Sequence, residues 1–160
     1  MAVGKTNAMR ILDSYKIEYK MLEYKVNKGE HVDGVQVAYQ IGRDVSEVYK
    51  TLVAHGNSKD IYVYVIPVNE NLDLKKAAKV SKEKSIEMIN VKDINKITGY
   101  IRGGCSPIGM KKQYKTFIND TAINKTSIIV SAGKIGQQIE LNPIDLKKII
   151  NSDFVDIIKK

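Results

Sequence analysis

The sequence predicts an α/β (α+β) fold in which helices flank a mixed sheet or barrel. Short β-branched and aromatic runs alternate with short amphipathic stretches along the whole chain, so strands and helices are interleaved rather than segregated. The alternation has no regular strand–helix–strand period, which argues against a doubly wound parallel sheet. The chain has 160 residues, of which 43% are hydrophobic and 28% charged. That is a soluble, globular composition with enough length for one core. No repeat, linker or low-complexity stretch divides it, so one domain over 1–160 is expected.

The elements follow in order. Lys5-Thr6-Asn7 opens a first helix with Thr6 or Asn7 as its cap, and Ala8, Ile11, Leu12 and Tyr15 share one face. Residues 18–24 read as a short strand, and Val26 to Gly34 is polar and irregular. Val35 to Ile41 reads as a helix stopped by Gly42. Asp44-Val45-Ser46-Glu47 begins a short helix that runs into a strand at 48–53. Ile61 to Val68 is a buried strand whose end is marked by Pro67. Asp73 caps a helix with Leu74, Ala77 and Ala78 inward and its lysines outward. Ile86 to Ile89 is a short strand, and Val91 to Thr98 a helix or turn. Strands are expected at 116–118, 127–130 and 138–141, the last two joined by a glycine turn over Ala132 to Gly136. Asn142-Pro143 starts a terminal helix, cap and first-turn proline in place, with Ile144, Leu146, Ile149 and Ile150 as its apolar face.

Composition excludes several function classes. The longest apolar runs are strand-length, too short to cross a bilayer, and the N-terminus lacks the apolar block of a signal peptide. A single cysteine forms no internal disulfide and no thiolate metal site. These features lead us to expect a cytoplasmic protein. His31 and His55 are the only histidines and neither adjoins a second cluster of ligand-type residues, so no metal is expected. The formal net charge is +8, and lysines cluster at 75, 76, 79, 82 and 84 and again at 111, 112 and 115. A solvated lysine surface accounts for such a charge, but the clustering favours a polyanionic partner. With no Trp and two Phe, and no aromatic-rich motif for stacking bases, contact with a nucleic-acid backbone is the expected mode.

The segment from Gly99 to Lys112 concentrates Gly99, Gly103, Gly104, Pro107 and Gly109 among small residues. An arbitrary Gly-Gly loop is a tight strand connection. The density here points instead to a loop that offers backbone N–H groups to a carbonyl, carboxylate or phosphate. Gly104 and Gly109 have the spacing of a phosphate loop, but Met110 stands where its lysine belongs and the metal-binding hydroxyl is missing, which excludes that motif. Cys105 is a nucleophile only with a base beside it, and a small buried thiol is the simpler reading. Lys50 interrupts the apolar run Val48-Tyr49-Lys50-Thr51-Leu52-Val53. It either snorkels to solvent or points into a pocket as a fixed cation for a carboxylate, phosphate or oxyanion. Ser131, at the end of an apolar strand, either holds the following turn or serves a site.

Four segments occur here in one order: Val48-Tyr49-Lys50-Thr51-Leu52, Leu72-Asp73-Leu74-Lys75-Lys76, Gly99-Tyr100 with Gly103-Gly104-Cys105-Ser106-Pro107-Ile108-Gly109, and Ser131-Ala132-Gly133-Lys134. With them the chain resembles the YbaK/EbsC family of Cys-tRNA(Pro) deacylases over nearly its whole length. The resemblance implies a mixed, largely antiparallel β-barrel with flanking helices, like the editing domain inserted in bacterial prolyl-tRNA synthetases. It implies trans-editing: removal of cysteine from mischarged Cys-tRNA(Pro), without metal or cofactor, through attack of the substrate's own thiol on its ester. Lys50 matches the key active-site lysine, and Gly103, Gly104, Cys105, Ser106 and Pro107 match the loop around the aminoacyl group. Tyr24, Thr51, Ser131 and Gln138 fall at pocket positions. Lys75, Lys76, Lys79, Lys111 and Lys112 are then expected to meet tRNA phosphates. The implied partners are the mischarged tRNA and prolyl-tRNA synthetase, with the protein a monomer or weak dimer off the membrane. The sequence departs from the family over residues 25–34, where a pocket role for Asp33 is in question. It departs again at Gln138, where relatives often carry an acid, and at Cys105, where they often carry an aliphatic residue. Two other readings stay open: a non-catalytic tRNA- or synthetase-binding module, and a thiol hydrolase using Cys105.

Overall fold

Strands set the frame of the computed structural model, which describes residues 4–26 and 33–160. They are β1 (Lys20–Glu23), β2 (Tyr49–Gly56), β3 (Ile61–Pro67), β4 (Ile86–Met88), β5 (Lys115–Asn119), β6 (Ile128–Lys134), β7 (Gln137–Leu141) and β8 (Asp153–Val155). The helices are α1 (Asn7–Ser14), α2 (Gly34–Gln40), α3 (Leu74–Ser81), α4 (Ile94–Thr98) and α5 (Pro143–Ile149). Short 3₁₀ turns lie at Val45–Glu47, Val91–Asp93 and Asp120–Asn124. His31 and most of the irregular stretch expected at 26–34 lie outside the described residues.

The helix starts follow capping chemistry. Thr6 accepts from the Met9 N–H, Asp33 from Val35, Asp73 from both Lys75 and Lys76, and Asn142 from Ile144 with Pro143 in the first turn. Each such cap satisfies amide donors that a helix leaves unpaired, worth about 1 kcal/mol. Gly42 follows α2 at φ +70°, the left-handed position expected of it. Three expected core residues are exposed instead: Tyr15 at 67%, Leu74 at 43% and Ile144 at 42%. Tyr15 is the C-cap of α1, and Leu74 and Ile144 sit in the first turns of α3 and α5. Helical spacing alone does not tell a turn at the helix end from one that packs.

The strands form two sheets, ordered β1-β7-β6 and β4-β2-β3-β5-β8. Four of the six strand pairings are antiparallel, and β3–β5 and β5–β8 are parallel. The mixed, largely antiparallel character is as expected, but the barrel is not, because the sheets do not close into one cylinder. Among the described residues they meet at a single bridge between Val48 and Ile129, which is too little pairing to remove the sheet edges. β8 and the 3₁₀ turn at 120–124 have no counterpart in the sequence reading. β6 runs on to Lys134 through an irregularity after Ser131, so the turn expected over 132–136 tightens to Ile135-Gly136.

β3 explains its own unbroken apolar run, for both of its faces are covered. Val65 packs with Leu12, Ile118, Ile128 and Leu146 in one cluster. Tyr64 and Ile66 face Ala77, Ala78 and Phe117 under α3. A third, smaller cluster joins Ala38, Val48, Val68 and Ile129 where α2 covers the contact between the sheets.

Candidate active site

The site follows from how the edge of β2 is shared. One side of β2 pairs with β3 from Tyr49 to His55. On the other side, β4 takes only Ala54 to Gly56, and β6 touches only Val48. Between them, no strand among the described residues meets this edge. The Val53 carbonyl accepts from the Ile89 N–H at 3.3 Å. Alternate residues of an antiparallel strand turn their main-chain groups to the same side, so Thr51 presents its N–H and C=O to this gap.

A cavity of about 350 Å³ opens there. Lys50 and Thr51 line it, with Gly103, Cys105, Ser131 and Gln138 from distant parts of the chain. Val53, Met88, Ile89, Val91 and Ile94 add an apolar wall, and Arg102 adds a second cation. Lys50 is half-buried. Burial lowers its pKa from 10.5, while the carboxylates of Asp33 and Glu70 pull the other way. Lys50 therefore lines the cavity while staying partly exposed. Thr51 Oγ1 and Gln138 Oε1 are buried acceptors without a hydrogen-bond partner. An unmet acceptor inside a protein carries a desolvation cost that a ligand donor relieves. Gln138 stands opposite Ser131 in the β6–β7 register. Ser131 Oγ itself accepts from the Gly133 N–H at 3.2 Å, so it holds the turn as well as lining the cavity.

The glycine loop is braced from behind. Gly99 closes α4 at φ +87°. The Tyr100 hydroxyl donates to the Ile108 carbonyl at 2.6 Å, and Asn7 Nδ2 donates to the Gly109 carbonyl at 3.1 Å. Gly103 adopts φ +85°. A Cβ on Gly104 would stand 3.0 Å from the Ile135 nitrogen, a tight contact that glycine avoids where the loop lies against the β6–β7 hairpin. Ser106 is fully buried, and its Oγ accepts from the Ile108 N–H at 3.2 Å. The loop therefore sorts itself: Gly103 and Cys105 line the cavity, while Gly104, Ser106 and Pro107 do not. Tyr24 is not a lining residue either. Its hydroxyl is buried without a partner, and its N–H is held by the Gly136 carbonyl.

Burial pushes the Cys105 thiol up to about 11. His55 places Nε2 3.5 Å from Glu87 and does not line the cavity, so no imidazole among the described residues serves Cys105. Among the described residues no group of three or more His, Cys, Asp and Glu is placed to hold a metal. No helix among them is long and apolar enough to cross a membrane.

The lysines expected to meet tRNA divide in two. Lys75, Lys79 and Lys112 are exposed. Lys76 is half-buried and donates to Asp156 Oδ2 at 3.0 Å and to the Ile158 carbonyl at 2.9 Å, which ties α3 to the C-terminal segment. Lys111 is exposed too, but its Nζ is engaged, donating to the Lys96 carbonyl at 3.1 Å. Sequence reasoning missed Arg102, although it adjoins Gly103 in the loop that reasoning singled out. It also missed the apolar wall, whose residues carry no signal apart from the fold.

Residues 30–149 match the aminoacyl-tRNA editing domain model. EbsC of Enterococcus faecalis, a proposed Cys-tRNA(Pro)/Cys-tRNA(Cys) deacylase, is 47% identical over 156 residues, covering 98% of this chain and 94% of that protein. The crystal structure of a proposed trans-editing enzyme for prolyl-tRNA synthetase superposes with a TM-score of 0.81 at 16% identity, covering 98% of this chain and 100% of that one. The hypothetical protein APE2540 superposes with a TM-score of 0.84 at 16% identity over 94% and 98% of the two chains. At such identities the two structures speak for the fold alone. The family model and the EbsC match speak for descent, and by them the chain belongs to the aminoacyl-tRNA editing domain family.

Proposed function

We propose that this protein is an aminoacyl-tRNA deacylase that edits in trans, releasing cysteine from mischarged Cys-tRNA(Pro). One observation carries the reading: a half-buried lysine faces a cavity of about 350 Å³ that also holds two unpartnered buried acceptors, Thr51 Oγ1 and Gln138 Oε1. An aminoacyl ester supplies what this cavity lacks. Its α-ammonium donates to the acceptors, and its carbonyl oxygen is the anion-to-be for Lys50 and the loop amides of Gly103 and Cys105.

The chemistry then needs no protein nucleophile. The substrate thiol gives its proton to water, which later returns it to the ribose oxygen, and the sulfur attacks the ester carbonyl, forming a C–S bond while the carbonyl electrons move onto oxygen. Lys50 stabilises that oxyanion. Collapse breaks the bond to the ribose oxygen, which takes a proton and leaves as the tRNA hydroxyl. The cyclic thioester left behind is opened by water to cysteine. No metal enters any of these steps. Specificity for proline tRNA comes from prolyl-tRNA synthetase as partner, since the domain itself grips the amino acid. The name of the Enterococcus relative, which pairs Cys-tRNA(Pro) with Cys-tRNA(Cys), is in keeping with that division of labour.

The test is release of amino acid from Cys-tRNA(Pro), Ala-tRNA(Pro) and Pro-tRNA(Pro), side by side, with and without the synthetase. Fastest release of cysteine supports the proposal. No release from any mischarged tRNA sinks it and leaves a non-catalytic tRNA- or synthetase-binding module.

A further inference from the structure

A second hollow lies away from the cavity, at the end of the five-stranded sheet. The turn between β2 and β3 and the start of β3 supply Lys59, Asp60, Ile61 and Tyr62, and the approach to β5 and its first residue supply Lys112 to Lys115. The parallel register that sets Tyr62 beside Lys115 brings these two segments together. The space between them is about 450 Å³. Lys59, Lys112 and Lys115 are all exposed around it, against the one carboxylate of Asp60. The Lys115 ammonium lies 5.6 Å from the centre of the Phe117 ring, a cation–π contact that helps to place its charge. The other polar side chains here are already engaged. Tyr62 donates to Glu83, Tyr114 to the Ile97 carbonyl, and Gln113 to the Ile150 carbonyl. What the hollow offers a ligand is concentrated positive charge.

We propose that this hollow binds a backbone phosphate of the tRNA. The inference rests on the deacylase reading for the identity of the polyanion. Two connections tie the hollow to the cavity. Gly103 lines the cavity and Lys112 the hollow, at the two ends of one loop. Along β3, Ile61 of the hollow and Ile66, the register partner of Lys50, are five residues apart, about 17 Å of extended strand. A single-stranded 3′ end whose ester lies at Lys50 carries its upstream phosphates over that distance. Lys59 is far in sequence from every lysine cluster, and only the fold adds it to Lys112 and Lys115.

The experiment measures binding of uncharged tRNA against salt concentration, for the wild type and two triple variants. One carries Lys59→Gln, Lys112→Gln and Lys115→Gln. The other carries Lys16→Gln, Lys20→Gln and Lys148→Gln, which removes the same charge from exposed positions elsewhere. The hollow variant should bind about tenfold more weakly and lose about one unit of the log–log salt slope, while the control stays close to the wild type. Equal weakening in both variants, or none in the hollow variant, overturns the proposal. So does a hollow variant that keeps its tRNA affinity but loses affinity for prolyl-tRNA synthetase, since the hollow then serves a protein. Binding of uncharged tRNA involves no turnover. A wild type that binds tRNA but releases no amino acid therefore refutes the deacylase reading without touching this one.

Discussion

Lys50 is held where burial works against its charge. Burial disfavours the ammonium and lowers its pKa from 10.5, and a group kept charged against that cost is suited to an oxyanion that forms only during reaction. Lys50→Met should lower turnover of Cys-tRNA(Pro) by about 10²-fold and leave thermal stability unchanged or higher, because a desolvated cation has been removed. A clear fall in Tm would instead mark Lys50 as structural. The sign of the pH dependence follows. The active form is the protonated amine, so activity declines as pH rises through the lowered pKa, and Lys50→Arg, charged throughout, should shift that alkaline limb upward. Cys105 leads to the opposite expectation. With its thiol pushed up to about 11, roughly one molecule in ten thousand is thiolate at pH 7. Cys105→Ala should therefore keep most activity and resist iodoacetamide. Complete loss in a folded variant would assign the nucleophile to the protein.

At the scale of elements, the position of Lys50 relative to Gln138 depends on a clamp. Arg43 sits just before the 3₁₀ turn that leads into β2. Its Nε donates to Glu47 at 2.7 Å and its Nη1 to Glu140 at 2.9 Å. Ser127 Oγ donates to the same Glu140 at 2.6 Å. Glu140 lies two residues beyond Gln138, on the same face of β7. The clamp therefore joins the entry of β2 to the strand that carries Gln138. Arg43, with Ser127 adding to it, holds the Glu140 carboxyl down at about 2 from an ordinary 4.5. A carboxylate depressed in the fold stabilises it fully above the unfolded value, and that stability is lost as pH falls from about 4.5 toward 2. Its side chain is 15% exposed, so the contribution is at most about 3 kcal/mol. Glu140→Gln should flatten the acid limb of the stability curve in that window and cost stability at pH 7. An unchanged limb in chemical denaturation would show that the clamp carries no such energy.

For the molecule as a whole, charge and size set how tRNA is read. A net charge of +8 on 160 residues favours phosphate contacts that are independent of sequence and weaken with salt. The isolated protein should therefore treat Cys-tRNA(Pro) and Cys-tRNA(Cys) alike, within about threefold, at near-physiological salt. Preference for the proline tRNA should appear when prolyl-tRNA synthetase is added. Strong rejection of Cys-tRNA(Cys) by the protein alone would mean that the domain reads the tRNA itself and would remove the need for the partner.

The sequence by itself determined what is settled within a few residues. The Thr6, Asp44, Asp73 and Asn142-Pro143 helix starts, the Gly42 stop, the β3 run and the glycine loop were legible there, because capping, period and glycine conformation are short-range physics, while the long-range braces of that loop were not. Part of the candidate site was legible for the same reason, since Lys50 interrupts an apolar run and Gly103 belongs to the glycine-dense loop, whereas Gln138 was named only through the family resemblance. Only the tertiary structure decided which way they face. The gap in the β2 edge leaves room for the cavity that Lys50 lines, packing against Ile135 sets Gly104 behind the wall, and Asp156, 80 residues away, draws Lys76 into the structure. It decided too that the sheets meet at one bridge instead of closing, and that Lys59 joins Lys112 and Lys115. Each of these outcomes depends on the pairing of segments distant in the chain, and no local pattern records which distant segment a strand edge will meet.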